Sequence, residues 1–123
     1  MSLKLLGLMR KANAIAPGTD RAHEAIQSGR AKLLILPEDA PDRALKDARY
    51  FLQGHRTLEI SVPYSAAELG SAIGLGSCSM IAVTDIGFAE AFVKTLGEGA
   101  AETAQELARR KEKLARRKNK KKG

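Results

Sequence analysis

The sequence predicts an α/β domain in which helices pack on a mixed or parallel sheet. Two stretches, Leu33-Leu34-Ile35-Leu36 and Met80-Ile81-Ala82-Val83, are continuous apolar runs of strand length, the pattern of strands covered on both faces. Between and around them, apolar residues recur at spacings of three and four, as they do along amphipathic helices. Glycine, proline and capping residues punctuate the changes of period, and a regular alternation of helix and strand builds layered architectures.

Ser2 is placed to cap a first helix, whose stripe of Leu3, Leu6, Met9 and Ala12 is widened by Leu5 and Leu8. Ala14 to Ala16 is a brief extended piece ended by Pro17-Gly18. Thr19 or Asp20 caps a second helix to about Ser28, with Ala22, Ala25 and Ile26 inward and Gly29 in the left-handed position that ends it. Lys32 to Leu36 is a central strand stopped by Pro37. A third helix starts within Asp39–Asp42, buries Ala44, Leu45, Ala48, Phe51 and Leu52, and ends at Gly54. Arg56 to Val62 alternates imperfectly and forms another strand. Ser65 with Glu68 is a capping box for a short helix ending near Gly70, followed by a Gly74–Ser77 loop. After the Met80–Val83 strand, Asp85 caps a helix through Leu96 with Phe88, Ala91, Phe92 and Thr95 spaced for burial, and Gly97 and Gly99 make a hinge. Residues 100–118 can form one more helix with a thin seam of Leu107, Leu114 and Ala115 and the pairs Glu106–Arg110 and Glu112–Arg116, with 119–123 unfolded.

The 123 residues fit one domain, residues 1–97, followed by a basic helical or disordered tail, residues 98–123. Residues 109–122 hold ten cations against one carboxylate, a net of +9, whereas residues 1–108 hold eleven against thirteen, a net of −2. The basicity therefore belongs to the tail. One cysteine, Cys78, makes neither an internal disulfide nor a cysteine-rich metal site, and suits a reducing, cytoplasmic compartment. The Leu5–Met9 run is too short for a signal peptide, and no window approaches a membrane span. No nucleophile is paired with a base, His23 and His55 are isolated, and Cys78 is of a size to pack as a small apolar residue. No enzyme activity, metal, cofactor or membrane partner is expected.

Four segments are candidates for binding or chemistry. Pro17-Gly18-Thr19-Asp20-Arg21 is a glycine turn opening a helix, whose unpaired N–H groups can hold a phosphate or a base-edge acceptor. Glu38-Asp39 lies at the carboxyl end of a strand, where acids can serve a metal or proton transfer, although Asp39 is also placed to cap a helix. Gly70 to Ser77 lacks the lysine of a phosphate-binding loop and precedes a strand, and its Leu75, with Gly76 and Ser77, can pack on an exposed base. The tail cations Arg109, Arg110, Lys111, Lys113, Arg116, Arg117 and Lys118 attract phosphates through counterion release. They confer affinity without sequence choice.

Three pieces together resemble the L7Ae/L30e ribosomal protein family, in particular its bacterial YlxQ-like branch. They are Leu5-Leu6-Gly7-Leu8 with Arg10-Lys11, the run from Lys32 through Leu36-Pro37-Glu38-Asp39-Ala40, and Glu68-Leu69-Gly70 through Gly74 followed by Met80 to Asp85 and Gly87-Phe88-Ala89. The resemblance spans about residues 3–96. It implies a three-layer α/β/α sandwich with a four-stranded mixed sheet and a non-enzymatic protein that binds structured RNA, often a kink-turn, so the expected partner is ribosomal or other structured RNA, with the ribosome or its proteins as a further candidate. It implies a contact surface made by the start of the second helix and the loop before the last core strand. The family's helix-start pattern is Gly-x-Asn-Glu-x-x-Lys. Gly18 matches it, while Asp20, Arg21 and Glu24 stand where the pattern has Asn, Glu and Lys. An ionised Asp20 only accepts hydrogen bonds, and Arg21 only donates. Those departures leave a second reading open, a protein-interaction module that has lost kink-turn recognition.

Overall fold

The computed structural model describes the backbone of residues 2–122 and the side chains of residues 2–117. In chain order the elements are α1 (Ser2–Lys11), β1 (Ile15–Pro17), α2 (Thr19–Gln27), β2 (Leu33–Leu36), α3 (Asp42–Leu52), β3 (Leu58–Ser61), α4 (Ala66–Ala72), β4 (Ile81–Val83), α5 (Ile86–Lys94), a 3-10 turn (Glu98–Ala100) and α6 (Ala101–Lys122). The four strands form one mixed sheet in the order β1-β4-β2-β3. The β2–β3 pair is parallel, with Leu33 opposite Leu58 and Leu36 opposite Ser61. The β1–β4 and β2–β4 pairs are antiparallel. Every residue of β2 is buried, as its unbroken apolar run requires of an interior strand. The half-exposed β3 lies at the sheet edge, which accounts for its imperfect alternation.

Strand alternation divides the core into two layers. Leu33, Ile35, Ile81 and Val83 face one cluster with Leu6 and Met9 of α1, Leu69 of α4, Phe92 and Val93 of α5 and Leu107 of α6. Leu34, Leu36, Met80 and Ala82 face the other, with Ala22, Ala25 and Ile26 of α2 and Ala48 of α3. The result is the three-layer α/β/α sandwich.

Several local expectations are corrected. Ser2 is buried inside α1, and its hydroxyl bonds that of Thr95 instead of capping the helix. Leu8 on the same helix, and Ala12 just past its end, face solvent. Neither Thr19 nor Asp20 caps α2: Gly18 is its N-cap, with no side-chain bond. Asp39 caps no part of α3, which starts after Pro41. Its carboxylate instead accepts the N–H of Ala66 at 2.8 Å, at the start of α4. The Ser65–Glu68 capping box forms in both directions, but α4 continues beyond Gly70 to Ala72. Asp85 caps α5 through the N–H of Phe88, as expected. The buried residues of α5 are Ala89, Glu90, Phe92 and Val93, while Ala91 and Thr95 are exposed and the helix stops at Lys94. Ala115 is exposed, and the helix expected to unfold from Asn119 runs on to Lys122. Gly123 lies outside the described residues.

One carboxylate ties α6 to α5 and another braces α6 from within. Glu90 is buried between Lys94 at 3.2 Å and Lys111 at 3.4 Å. The hydrogen bond from Lys94, then that from Lys111, holds its carboxyl below the ordinary range against the opposing effect of burial. Glu106 takes a fork from Arg109 at 2.9 and 2.7 Å and a bond from Arg110 at 2.7 Å, and these lower its pKa to about 2. A depressed folded-state pKa contributes stability that is complete above the unfolded value and is lost as pH falls through the folded one. Melting curves taken from pH 5 downward should show a loss setting in below an unfolded glutamate pKa of about 4.3. Glu106→Gln should flatten this acid limb, and an unchanged limb would show that the pairs do not couple to folding. No helix among the described residues is long and apolar enough to cross a membrane, and no group of three or more His, Cys, Asp or Glu among them is placed to hold a metal ion.

Candidate functional site

The start of α2 is set by the sheet. Pro17, the last residue of β1, pairs with Ile81, and the next N–H, that of Gly18, donates to the carbonyl of Met80 at 2.8 Å. The chain then turns at Gly18 with φ 94° and ψ 159°, a conformation that only glycine adopts readily. Because Gly18 has no side chain to cap the helix, the first-turn N–H groups of Thr19, Asp20 and Arg21 face outward as donors. The side chains of Thr19, Asp20, Arg21 and Glu24 are all exposed. This edge offers backbone donors, a cationic fork and two carboxylates within six residues.

The loop before β4 is braced. Leu75 donates its N–H to Gly70 at 2.7 Å, and Cys78 donates to Ala66 at 3.0 Å, so the loop lies against α4. It lies close enough that a Cβ built on Gly70 would sit 2.7 Å from the Cα of Ser77. Leu75, Gly76 and Ser77 are exposed, and Leu75 is one of only three large apolar side chains among the described residues that stand out from the surface. The buried Cys78 thiol donates to the carbonyl of Met80 at 3.2 Å. Since Met80 also holds Gly18, the helix start and the loop share one end of the sheet.

The tail cations lie elsewhere. The register puts Leu33, Leu58 and Val83 at one end of the sheet and Leu36, Ser61, Ile81 and Pro17 at the other. Arg110 donates to the carbonyl of Arg56 at 2.6 Å, just before β3 begins, so the basic half of α6 covers the end opposite Gly18 and Leu75. Several of these cations are already paired: Arg109 and Arg110 with Glu106, Lys111 with Glu90, and Arg116 with Glu112. Lys113 and Arg117 are exposed and enter no ion pair among the described residues. The Lys118 side chain lies outside the described residues. Gly18–Arg21 and Leu75–Ser77 are thus brought together, whereas the tail is not brought to them.

Of the other candidates, Glu38 is exposed and the Asp39 carboxylate is taken by α4. The His23 ring stacks on Phe51 at 3.9 Å, with 8° between the planes. Sequence reasoning missed Gly70 as the seat of the loop. It also missed Lys32, His55 and Arg56, which gather beside the basic half of α6. Only the chain's path across the sheet unites those three, and nothing in their local sequence marks them.

Fold and site together define a small α/β/α sandwich that presents a helix start and the loop beside it at one end of its sheet. The chain belongs to the Ribosomal protein L7Ae/L30e/S12e/Gadd45 family, which matches residues 2–93. It is similar to the RNA-binding protein YlxQ of Bacillus subtilis (strain 168), with 34% identity over 96 residues, 75% of this chain and 91% of that protein. Among solved structures it is similar to a Bacillus halodurans C protein of unknown function, with a TM-score of 0.70, 29% identity, and coverage of 79% of this chain and 97% of the other. The Giardia lamblia 15.5kD RNA binding protein shares the fold, with a TM-score of 0.61 at 19% identity over 86% of this chain and 83% of that one.

Proposed function

We propose that this protein is a non-enzymatic, cytoplasmic binder of structured RNA, with ribosomal RNA the first class to test and a kink-turn the first motif. The observation that carries this reading is the pairing of the uncapped α2 start with the braced loop at one end of the sheet, in a chain 34% identical to a protein named as RNA-binding. In this reading, the N–H groups of Thr19, Asp20 and Arg21 donate to acceptor atoms of the RNA, and Leu75 packs against an unstacked base.

The polarity of the α2 edge differs from the family pattern in a specific way. Arg21 offers a donor fork matched to the O6 and N7 acceptors of guanine or to a phosphate. Glu24 repels phosphate where the pattern has a lysine, and Asp20 accepts from an amino group. The reading therefore favours RNA contacts at base edges over backbone contacts along α2.

Arg21→Ala should weaken binding to the preferred RNA by about 1–3 kcal/mol, or roughly 5- to 150-fold, in an anisotropy titration. A kink-turn RNA, a ribosomal RNA fragment and an unstructured strand of equal length should be compared in the same series. Equal affinity for all three, together with an Arg21→Ala variant indistinguishable from the parent, would remove the α2 edge from the site. Partners captured from cells that survive nuclease treatment, with no RNA bound at low salt, would favour the protein-interaction reading.

A further inference from the structure

At the end of the sheet away from Gly18, α6 roofs a cavity of about 370 Å³, a volume at the low end for small-ligand pockets. Its rim is basic. Lys32 comes from the approach to β2, His55 and Arg56 from the α3–β3 connection, and Arg110, Lys113 and Arg117 from α6, and none of the described residues lining it is acidic. Its apolar lining comes from the half-buried Ile86 of α5 and Leu114 of α6, with the fully buried Ile26 of α2 behind them.

This clustering contrasts with the rest of the molecule. Residues 1–108 carry a net negative charge, yet the fold draws Lys32 and Arg56 from that part to the place where α6 adds its own cations. Elsewhere on α6, Arg109, Lys111 and Arg116 each face a carboxylate. At the rim only Arg110 does, and its guanidinium also bonds the Arg56 carbonyl, which fixes the roof over the opening. Lys32, Arg56, Lys113 and Arg117 enter no ion pair among the described residues. Cations held within a Debye length, about 8 Å at physiological salt, repel one another, and an anion seated among them relieves that repulsion. Cations beside an apolar lining match a nucleotide, with its phosphate at the cationic rim and its base against Ile86 and Leu114.

We infer that this cavity is a second RNA-contact site, which seats one nucleotide of a strand by its phosphates and base. The inference rests on the reading that the chain binds RNA, but not on the α2 edge being where sequence is read. The two sites lie at opposite ends of the sheet, so one RNA that reaches both must run along the molecule or present two separate segments.

The test uses the full chain, a structured RNA it binds, and salt varied from about 50 to 400 mM. Lys113→Gln with Arg117→Gln removes two rim cations. Arg109→Gln with Arg116→Gln removes two that are already paired with carboxylates. Leu114→Asp removes no cation but places a carboxylate in the apolar lining. The rim pair should make the slope of log K against log salt shallower by about 2, roughly one for each phosphate no longer neutralised. The comparison pair should change it by less than about 1. Leu114→Asp should weaken binding by about tenfold, because like charges meet, with circular dichroism checking that α6 stays helical.

Equal slope changes for the two pairs would mean a diffuse field and no site, overturning the inference. If the parent binds RNA and Arg21→Ala weakens it, but the rim pair and Leu114→Asp leave binding unchanged, the inference fails while the functional reading stands. An intact chain that binds no RNA even in dilute salt overturns both. Rim variants that lose only a nuclease-resistant protein complex would assign the cavity to an acidic protein and overturn it too.

Discussion

Leu107→Ala should lower the stability of the whole fold by about 2–5 kcal/mol. Leu107 is fully buried and reaches the cluster that joins α1, α5 and the sheet, although it lies beyond residue 97, where the sequence places the end of the globular domain. A loss of this size is a large part of a typical stability of about 5–15 kcal/mol. It would lower the Tm by roughly 8–20 °C for a chain of this length. The variant should also expose the Arg109-Arg110 bond to trypsin, since the roof helix opens when its anchor is cut back. Leu114→Ala, at a half-buried position, should cost about 1 kcal/mol. If the two substitutions cost the same, the first half of α6 is not anchored through Leu107.

Gly70→Ala should cost about 1–3 kcal/mol by overpacking. The new methyl would meet the Cα and N of Ser77 at 2.7 Å and the carbonyl carbon of Gly76 at 3.0 Å. All of these are backbone atoms, so no side chain can swing away and the loop itself must move. That movement breaks the bond from the Leu75 N–H to the Gly70 carbonyl and displaces Leu75 and Ser77. The expected result in an RNA titration is about a tenfold loss, equivalent to about 1.4 kcal/mol. Gly99→Ala is the control, because a Cβ there meets open space and the position lies outside the loop. Both stability and RNA affinity should separate the two variants, and identical behaviour would mean that the position of the loop is not set by Gly70.

What the sequence made legible was what short-range chemistry decides. The Leu33–Leu36 run announces an interior strand because nothing in it can face water. Ser65 with Glu68, and Asp85 before Ile86, announce helix starts because the bonds involved span three residues. Where a capping group finds a partner far along the chain, local reading fails. Asp39 serves a helix 27 residues away, and Ser2 meets Thr95 across 93 residues. At α2, Thr19 and Asp20 are good cappers by residue type, but the sheet pins Gly18 to Met80 and moves the cap one residue before Thr19 and two before Asp20. For the candidate site, the α2 edge and the loop were readable through the family resemblance. The basic cavity was not, because it assembles from three separated segments, and Lys32, His55 and Arg56, which join the tail cations there, look like ordinary solvated charges in the sequence.

Charge is segregated along this molecule, with a net of −2 over residues 1–108 and +9 over residues 109–122. Such a body has a large electric dipole, and its positive pole lies at the roofed end of the sheet. Near any polyanion it experiences a torque before it experiences contact, so it arrives roof first. Association should quicken steeply as salt is lowered, whereas the lifetime of a complex, governed by short-range fit, should respond to substitutions at Arg21 or Gly70.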